Sequence, residues 1–590
     1  MIINALSRYY DCLKSLPNNP LPPMGYSKVD IDYVIVLNNE GEMVNILPHT
    51  KSIVEKNKTK EVPIKEILPQ RINATSVKAN FLEHRPVYIF GMEFDKDQLY
   101  ITDKSTKSFS DYQEKAKIFA NIQSDMAQAL YKFSTKWRSE NELNNSLINS
   151  LGKGYASAKF TYCLESDINL LACYDKEITK LWNELNKKQN ESDAEYLSYC
   201  SICGEYLPIA RLHDNLKGIK GGMSVGTNIV CVNNPAEESF DMEQGKVASV
   251  SVDIMKKYTS AFNALTISPY NHTYLGDVTL LFWAESEISP LEIAESYAVA
   301  NNFIEESEET SKTVKNCLDY IRQGKQFDET ALTLLDTKFY VLGIKPNASR
   351  LTIKFFYVNT FGKTLDNIKQ HYDDLRLYDD QKIPSVSKII YETISPNSTN
   401  KDPNPSLVSG LFSAIQNGAM YPVNLLSGII RRIKTDQDTD KSKFVKINET
   451  RISIIKAYLS RSQRILNKGE KVTMSLNKTN VNPAYLCGRL FAVLEKLQSE
   501  AIPGVNAGIK SRYFSSACTT PAMVFPRLLI LAQNHITKLE KSGFLESIMS
   551  EIMGSLNDSF PKKLDIEEQG KFILGYYQQN KDLYTKKEDR

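Results

Sequence analysis

The hydrophobic pattern of this chain changes period part-way along, and that change limits what it can fold into. Up to about residue 360 the recurrent signal is short β-branched and aromatic runs, mixed with a few helical stretches. Beyond Leu407 nearly every apolar run follows helical spacing. Between the two regimes lies Ser395 to Ser406, Ser-Pro-Asn-Ser-Thr-Asn-Lys-Asp-Pro-Asn-Pro-Ser, a run of turn formers that reads as an exposed loop or linker. The pattern predicts an α+β fold: a mixed, strand-containing N-terminal domain over 1–380, a helical basic segment over 381–473, and a helical bundle over 474–590. A chain of 590 residues is too long for one core, so several domains are expected.

Met1 to Leu16 reads as an amphipathic helix stopped by Pro17, without the apolar stretch of a secretion signal. Asp32 to Leu37 and Met43 to Leu47 are predicted strands joined through Asn38-Asn39-Glu40-Gly41, and Val87 to Phe90 a short strand ending at Gly91. Lys115 to Thr135 and Asp175 to Asn190 carry helical spacing. The longest apolar run, Thr279 to Ala284, suits a buried strand and is far too short to span a bilayer. Lys338 to Tyr357 is a predicted hairpin turning at Pro346-Asn347-Ala348-Ser349, followed by a helix from Lys363 to Leu375. Helices are predicted at Leu407–Asn417, Pro422–Lys434, Glu449–Arg464, Ala484–Ile502, Val524–Lys541, Leu545–Leu556 and Ile566–Leu583. In the Ala484 helix, Leu486, Leu490, Val493, Leu494 and Leu497 share a face, with Arg489, Glu495 and Lys496 away from it.

Catalytic signatures are sparse. Lys217 to Gly226 is Gly-rich but lacks the Gly-Lys-Ser/Thr ending of a phosphate-binding loop. His213-Asp214 resembles the paired ligands of a metal phosphohydrolase, and a metal-dependent nuclease built on it is the rival reading. The other histidines, however, are scattered along the chain. Cys200 and Cys203, with His213 and Cys231, offer one zinc-like set against the alternative of ordinary partly buried cysteines. Nine cysteines without framework spacing argue against disulfides and point to the cytoplasm. No metal or cofactor is expected.

The formal net charge is only +2, so a grip on a polyanion has to come from local patches. From Arg431 to Lys471 there are seven Lys and five Arg against three Asp and two Glu. Arg431, Arg432, Arg451, Lys456, Arg461 and Arg464 therefore read either as a phosphate-tracking face or as a solvated surface partly set by helix ends. Lys510-Ser511-Arg512-Tyr513-Phe514 places cations beside aromatics, a pattern that suits single strands, although the aromatics serve equally well as core. Lys217, Lys220, Gly221 and Ser224 in the Gly-rich loop, and Arg71, Asn73, Thr75, Ser76, Lys78 and Asn80 farther upstream, combine polar side chains with turn formers. Such residues read groove edges or simply make turns.

Ordered motifs along the chain resemble the large subunit of the type I-C CRISPR surveillance complex (Cascade). Pro22 to Ser27 is similar to "PPxGYS", Thr75 to Leu82 to "TSGxxxNFL", and Pro208 to Gly221 to "PIARLHxxIKGVxG". Glu238 to Gly245 resembles "ESYxxEQG", Asp277 to Glu285 "GDTTVVFWAE", and Phe339 to Leu351 "FYVLGLSPNAARL". Tyr421 to Ile433 resembles "YPxxLLxxxxRRI", and the stretches Pro483 to Glu495, Phe525 to Leu529 and Glu568 to Tyr577 carry the likeness into the tail. Val77 stands where the family carries Gly, Met223 where Gln is typical, and Cys203 where Thr is common. The resemblance implies a non-catalytic subunit that reads a short protospacer-adjacent motif (PAM) in duplex DNA and helps open it, while guide pairing reads the target. Implied partners are guide RNA, the 5′-handle, backbone and small subunits, double-stranded target DNA with its displaced strand, and a helicase-nuclease effector, with no membrane. The PAM-proximal role falls to the Arg71–Asn80 and Lys217–Ser224 segments. Displaced-strand contacts fall to the basic helices and to Lys510, Arg512 and Arg527. Met474 is the implied start of a separate small subunit.

Overall fold

A computed structural model describes residues 1–17, 21–55, 58–70, 77–95, 98–192, 196–223, 226–232, 234–287, 290–303, 312–323, 325, 334–399, 401–438, 446–504, 508–556 and 559–585. About 50% of it is helix and 18% strand, with strands concentrated in the N-terminal half, so the fold is α+β. Packing divides the chain into two units. One holds Pro17–Asn215 and Asn228–Ala261; the other holds Met1–Leu16, Leu216–Thr227 and Phe262–Arg590.

In the first unit the strands are β1 (Tyr26–Ile31), β2 (Tyr33–Leu37), β3 (Met43–Pro48), β4 (Thr50–Glu55), β5 (Lys58–Pro69), β6 (Glu93–Asp95), β7 (Gln98–Tyr100), β8 (Phe160–Leu164), β9 (Asp167–Leu171), β10 (Leu197–Tyr199) and β11 (Tyr206–Pro208). A three-stranded antiparallel sheet has the order β1-β5-β4, and a four-stranded sheet the order β3-β2-β8-β9. β2 and β8 run parallel. That pairing needs a long crossover, and the helices Asp103–Ala116 and Asp125–Lys136 lie within it. Every residue of β8 is buried, as expected for a strand covered on both faces. Val87 to Phe90, expected as a strand, forms instead a single helical turn, Pro86–Ile89. Pro86 presets the first-turn dihedral and lacks only an N–H that a helix start leaves unbonded. The Phe90 carbonyl accepts from Trp137 Nε1 at 3.1 Å and Ser139 Oγ at 2.7 Å, which locks the turn into the core.

The second unit carries an antiparallel sheet, β12 (His272–Leu275), β13 (Val278–Ala284), β14 (Lys338–Asn347) and β15 (Arg350–Thr360), in that order. Asn347 pairs with Arg350, so the hairpin turns through Ala348 and Ser349 alone, with Ala348 at φ +52°. The Ile2–Ser15 helix brings Tyr9 to 6.2 Å from the Trp283 ring of β13. The predicted C-terminal helices all form, with ends shifted by a few residues; Ile509–Ala517 is an additional one. One contiguous hydrophobic core runs from Leu275 of the sheet to Tyr576 of the last helix. Packing is continuous across residue 473, where Leu426 and Leu459 approach Gly570.

The helices Pro483–Ala501 and Ile566–Tyr584 pack in close contact. A Cβ on Gly488 would lie 2.0 Å from the Phe572 carbonyl oxygen, and one on Gly575 would lie 2.3 Å from that of Tyr485. The two glycines form a reciprocal notch, and the closeness they permit outweighs their poor helix propensity of about 1 kcal/mol each. Arg489, expected on the outer face, is only 1% exposed. Its guanidinium donates to Gln579 Oε1 at 2.9 Å and Glu551 Oε1 at 3.0 Å.

Candidate nucleic-acid interface

Two short segments carry the expected PAM-proximal residues, and they belong to different units. In the first unit, Arg71, Asn73, Thr75 and Ser76 lie outside the described residues. Lys78 is exposed, with its carbonyl held by Arg85 Nη2 at 3.0 Å. Asn80 is 2% exposed, contrary to a surface role. Its N–H donates to Glu83 Oε2 at 2.8 Å, while Arg85 donates to both Glu83 oxygens at 2.7 Å. Burial alone pushes the Glu83 carboxyl up; the Arg85 hydrogen bonds and charge, His84 and the Asn80 N–H outweigh it and hold the group below the usual carboxylate value. Asn80 is thus part of an internal carboxylate clamp.

In the second unit the Gly-rich loop is closed like a purse. Leu216 and Thr227 exchange backbone hydrogen bonds of 2.7 and 2.9 Å. Inside that closure Gly218, Gly221 and Gly226 take φ of +77°, +76° and +102°, which side chains resist. The Lys217 N–H donates to Asn263 Oδ1 at 2.8 Å, which seats the loop on its own unit. Lys217, Lys220, Gly221 and Met223 are exposed, and the Lys220 ammonium stands 5.2 Å from the Tyr274 ring centre. Ser224 lies outside the described residues. A short loop with exposed cations and left-handed glycines can bring backbone close to a phosphate or groove.

The basic helices split into two populations. Along Glu449–Leu466, Arg451, Lys456 and Arg461 are 1%, 4% and 0% exposed, a correction to the phosphate-tracking face expected there. Arg451 pairs with Glu392 at 2.7 Å and Asp436 at 2.8 Å. Arg461 pairs with Asp374 at 3.2 Å and also donates to the Ala414 and Ala419 carbonyls. The Lys456 ammonium donates to the carbonyls of Asp373 and Asp374. Burial pulls that ammonium below its ordinary value against the upward pull of Asp374 and Asp373. Arg464, with a side chain 38% exposed, gives Asp374 two further bonds, and Arg432 is held by Asp436 at 3.1 Å.

The other population faces solvent. Arg431 is exposed and lines a cavity of about 350 Å³ with Thr393, Asn404, Asn424 and Ser427. Arg512 is exposed on Ile509–Ala517, and Arg527 on Pro521–Ile536 places its guanidinium 5.8 Å from the Tyr513 ring. Lys510 is one-quarter exposed, 4.0 Å from Asp438. The arrangement around Tyr513 offers an aromatic face beside cations, the pairing that holds unpaired bases and their phosphates. Sequence reasoning missed the acceptors Asp374, Glu392 and Asp436. Only the Arg432–Asp436 pair, four apart on one helix end, left a local signal.

The enzymatic alternative finds little to build on. His213 is 7% exposed and shares a 2.7 Å hydrogen bond with the Tyr258 hydroxyl; burial pushes its imidazole down to about 4, so it is neutral at pH 7. Asp214 accepts from Gln70 at 3.3 Å. Among the described residues no three His, Cys, Asp or Glu side chains gather to hold a metal ion. All nine cysteines are free. Burial raises the Cys200 thiol, but N–H groups of Cys203, Ser251 and Ile202 outweigh it and bring it to about 7. No helix among the described residues is long and apolar enough to cross a membrane.

The family model described as CRISPR-associated protein (Cas_Csd1) matches residues 6–584. No curated protein matches the chain.

Proposed function

This chain belongs to the Cas_Csd1 family of CRISPR-associated proteins, and from that premise we propose that it is the non-catalytic large subunit of an RNA-guided type I-C Cascade complex. In this reading it recognises the PAM in duplex DNA, promotes unwinding and R-loop formation, stabilises the displaced strand and helps recruit the helicase-nuclease. The observation that carries the proposal is the extent of the family match, residues 6–584. The closed loop at Leu216–Thr227, with exposed Lys217 and Lys220, supports a PAM-proximal contact. Exposed Arg431, Arg512 and Arg527 support contact with the displaced strand, while the buried cations of Glu449–Leu466 are assigned to the internal frame. Met474 remains the proposed start of a separately translated small subunit.

The test is a reconstituted complex containing either the wild-type chain or the double variant Lys217→Glu, Lys220→Glu, titrated onto duplexes with and without the PAM. The reading expects the variant to assemble normally yet lose preference for the PAM duplex. Equal affinity of both proteins for both duplexes sinks it.

A further inference from the structure

The described residues hold seven non-glycine positions with left-handed φ, and four of them fall between Phe240 and Ser249. Phe240 and Asp241, at +55° and +56°, are consecutive, and the Met242 N–H donates to the Ser239 carbonyl at 3.0 Å. That is a tight turn with both central residues left-handed, a conformation that selects Gly or Asn and penalises a bulky aromatic. Phe240 nevertheless sits at its tip and is 92% exposed, the most exposed aromatic side chain among the described residues. Neither local propensity nor burial within the chain accounts for a phenylalanine there.

The loop is also anchored rather than loose. The Gln244 N–H donates to Glu238 Oε1 at 3.2 Å, and Gln244 Oε1 accepts from Arg211 Nη1 at 2.7 Å. Gly245 packs so closely on the Ala210 and Arg211 carbonyls that a Cβ would come within 2.6 Å of both. A strained aromatic held on a braced base is a preformed projection.

Charge indicates what it meets. Glu237, Glu238, Asp241 and Glu243 surround the tip in sequence. The nearby cations are engaged at the base, Arg211 with Gln244 and Lys246 5.4 Å from the Tyr196 ring. Carboxylates so placed repel nucleic-acid phosphates and attract a basic protein surface. We propose that the Ser239–Met242 turn is a protein-docking hook, with Phe240 entering an apolar pocket rimmed by Lys or Arg on another protein subunit of the guide-bearing assembly. The inference rests on the proposed place of this chain in such an assembly.

The test compares wild-type chain with Phe240→Gly and Phe240→Tyr, measuring thermal stability and affinity for a purified guide-RNA–protein assembly expressed without this chain. Glycine suits the turn, so Phe240→Gly should keep or raise the melting temperature while weakening association by about tenfold or more, and Phe240→Tyr should restore it. Photo-crosslinking from p-benzoylphenylalanine at position 240 should capture a protein chain. Wild-type affinity in Phe240→Gly, a lowered melting temperature in that variant, or a crosslink to nucleic acid each overturns the docking hook while leaving the proposed function standing. Failure of the wild-type chain itself to join the assembly overturns both.

Discussion

Two stretches of this protein look alike in composition and differ in what their cations do. Glu449–Leu466 and the pair Ile509–Ala517 with Pro521–Ile536 are all helical, and each carries arginines between apolar positions. In the first, Arg451 and Arg461 are 1% and 0% exposed and close onto Glu392, Asp436 and Asp374, carboxylates contributed by other parts of the unit. In the second, Arg512 and Arg527 stay in water beside Tyr513. The difference teaches that a run of positive charge says nothing about availability until its partners are placed. A buried guanidinium is costly unless paired, so a basic helix inside a core implies acidic groups brought to it from elsewhere.

Breaking the internal set gives the largest expected effect. Asp374→Ala takes the paired carboxylate from Arg461 and Arg464, and its charge from Lys456, and should cost about 3–5 kcal/mol in chemical denaturation. A loss under about 1 kcal/mol would mean that those cations reach solvent.

An effect smaller for each group comes from acid. His371 is 2% exposed and hydrogen-bonds the Tyr421 hydroxyl; burial, aided by the Arg461 charge, pushes its imidazole down to about 3, and His213 lies near 4 through burial. Both are neutral in the folded chain but take up protons in the unfolded one near pH 6.5. Stability is therefore full above that pH and falls as pH drops toward those lowered values, by about 1.4 kcal/mol per histidine per pH unit. Denaturation midpoints recorded from pH 7.5 to 5 check this, and His371→Gln should flatten the slope.

The smallest stability effect belongs to the exposed set. Arg512→Glu with Arg527→Glu should change folding stability by no more than about 0.5 kcal/mol. The same pair should weaken binding to a single-stranded oligonucleotide and make its salt dependence shallower by about one unit of slope per lost phosphate contact. Unchanged affinity would leave the two helical stretches indistinguishable in function.

Much of the architecture was legible in the residue order. The period change across Ser395–Ser406, the helix opening at Asn482-Pro483 where an Asn side chain caps and a Pro follows, and the β14–β15 hairpin all arise from neighbours within a few positions. Local periodicity and capping determine such elements before any long-range contact forms. Val87 to Phe90 misled because its apolar run is too short to tell strand from turn, and Trp137 and Ser139, nearly fifty residues away, hold the turn.

The candidate interface was legible only in part. Lys217, Lys220, Arg431, Arg512 and Arg527 are exposed as a surface role requires, whereas Asn80, Arg451, Lys456 and Arg461 face inward. By itself the order of residues determined most of the helices and strands and the supply of cations. Tertiary structure alone decided that Asp374 would meet Arg461 across eighty-seven residues and that Phe240 would be left in water. The physical reason is that Coulomb and desolvation energies depend on distance through space, which spacing along the chain does not record.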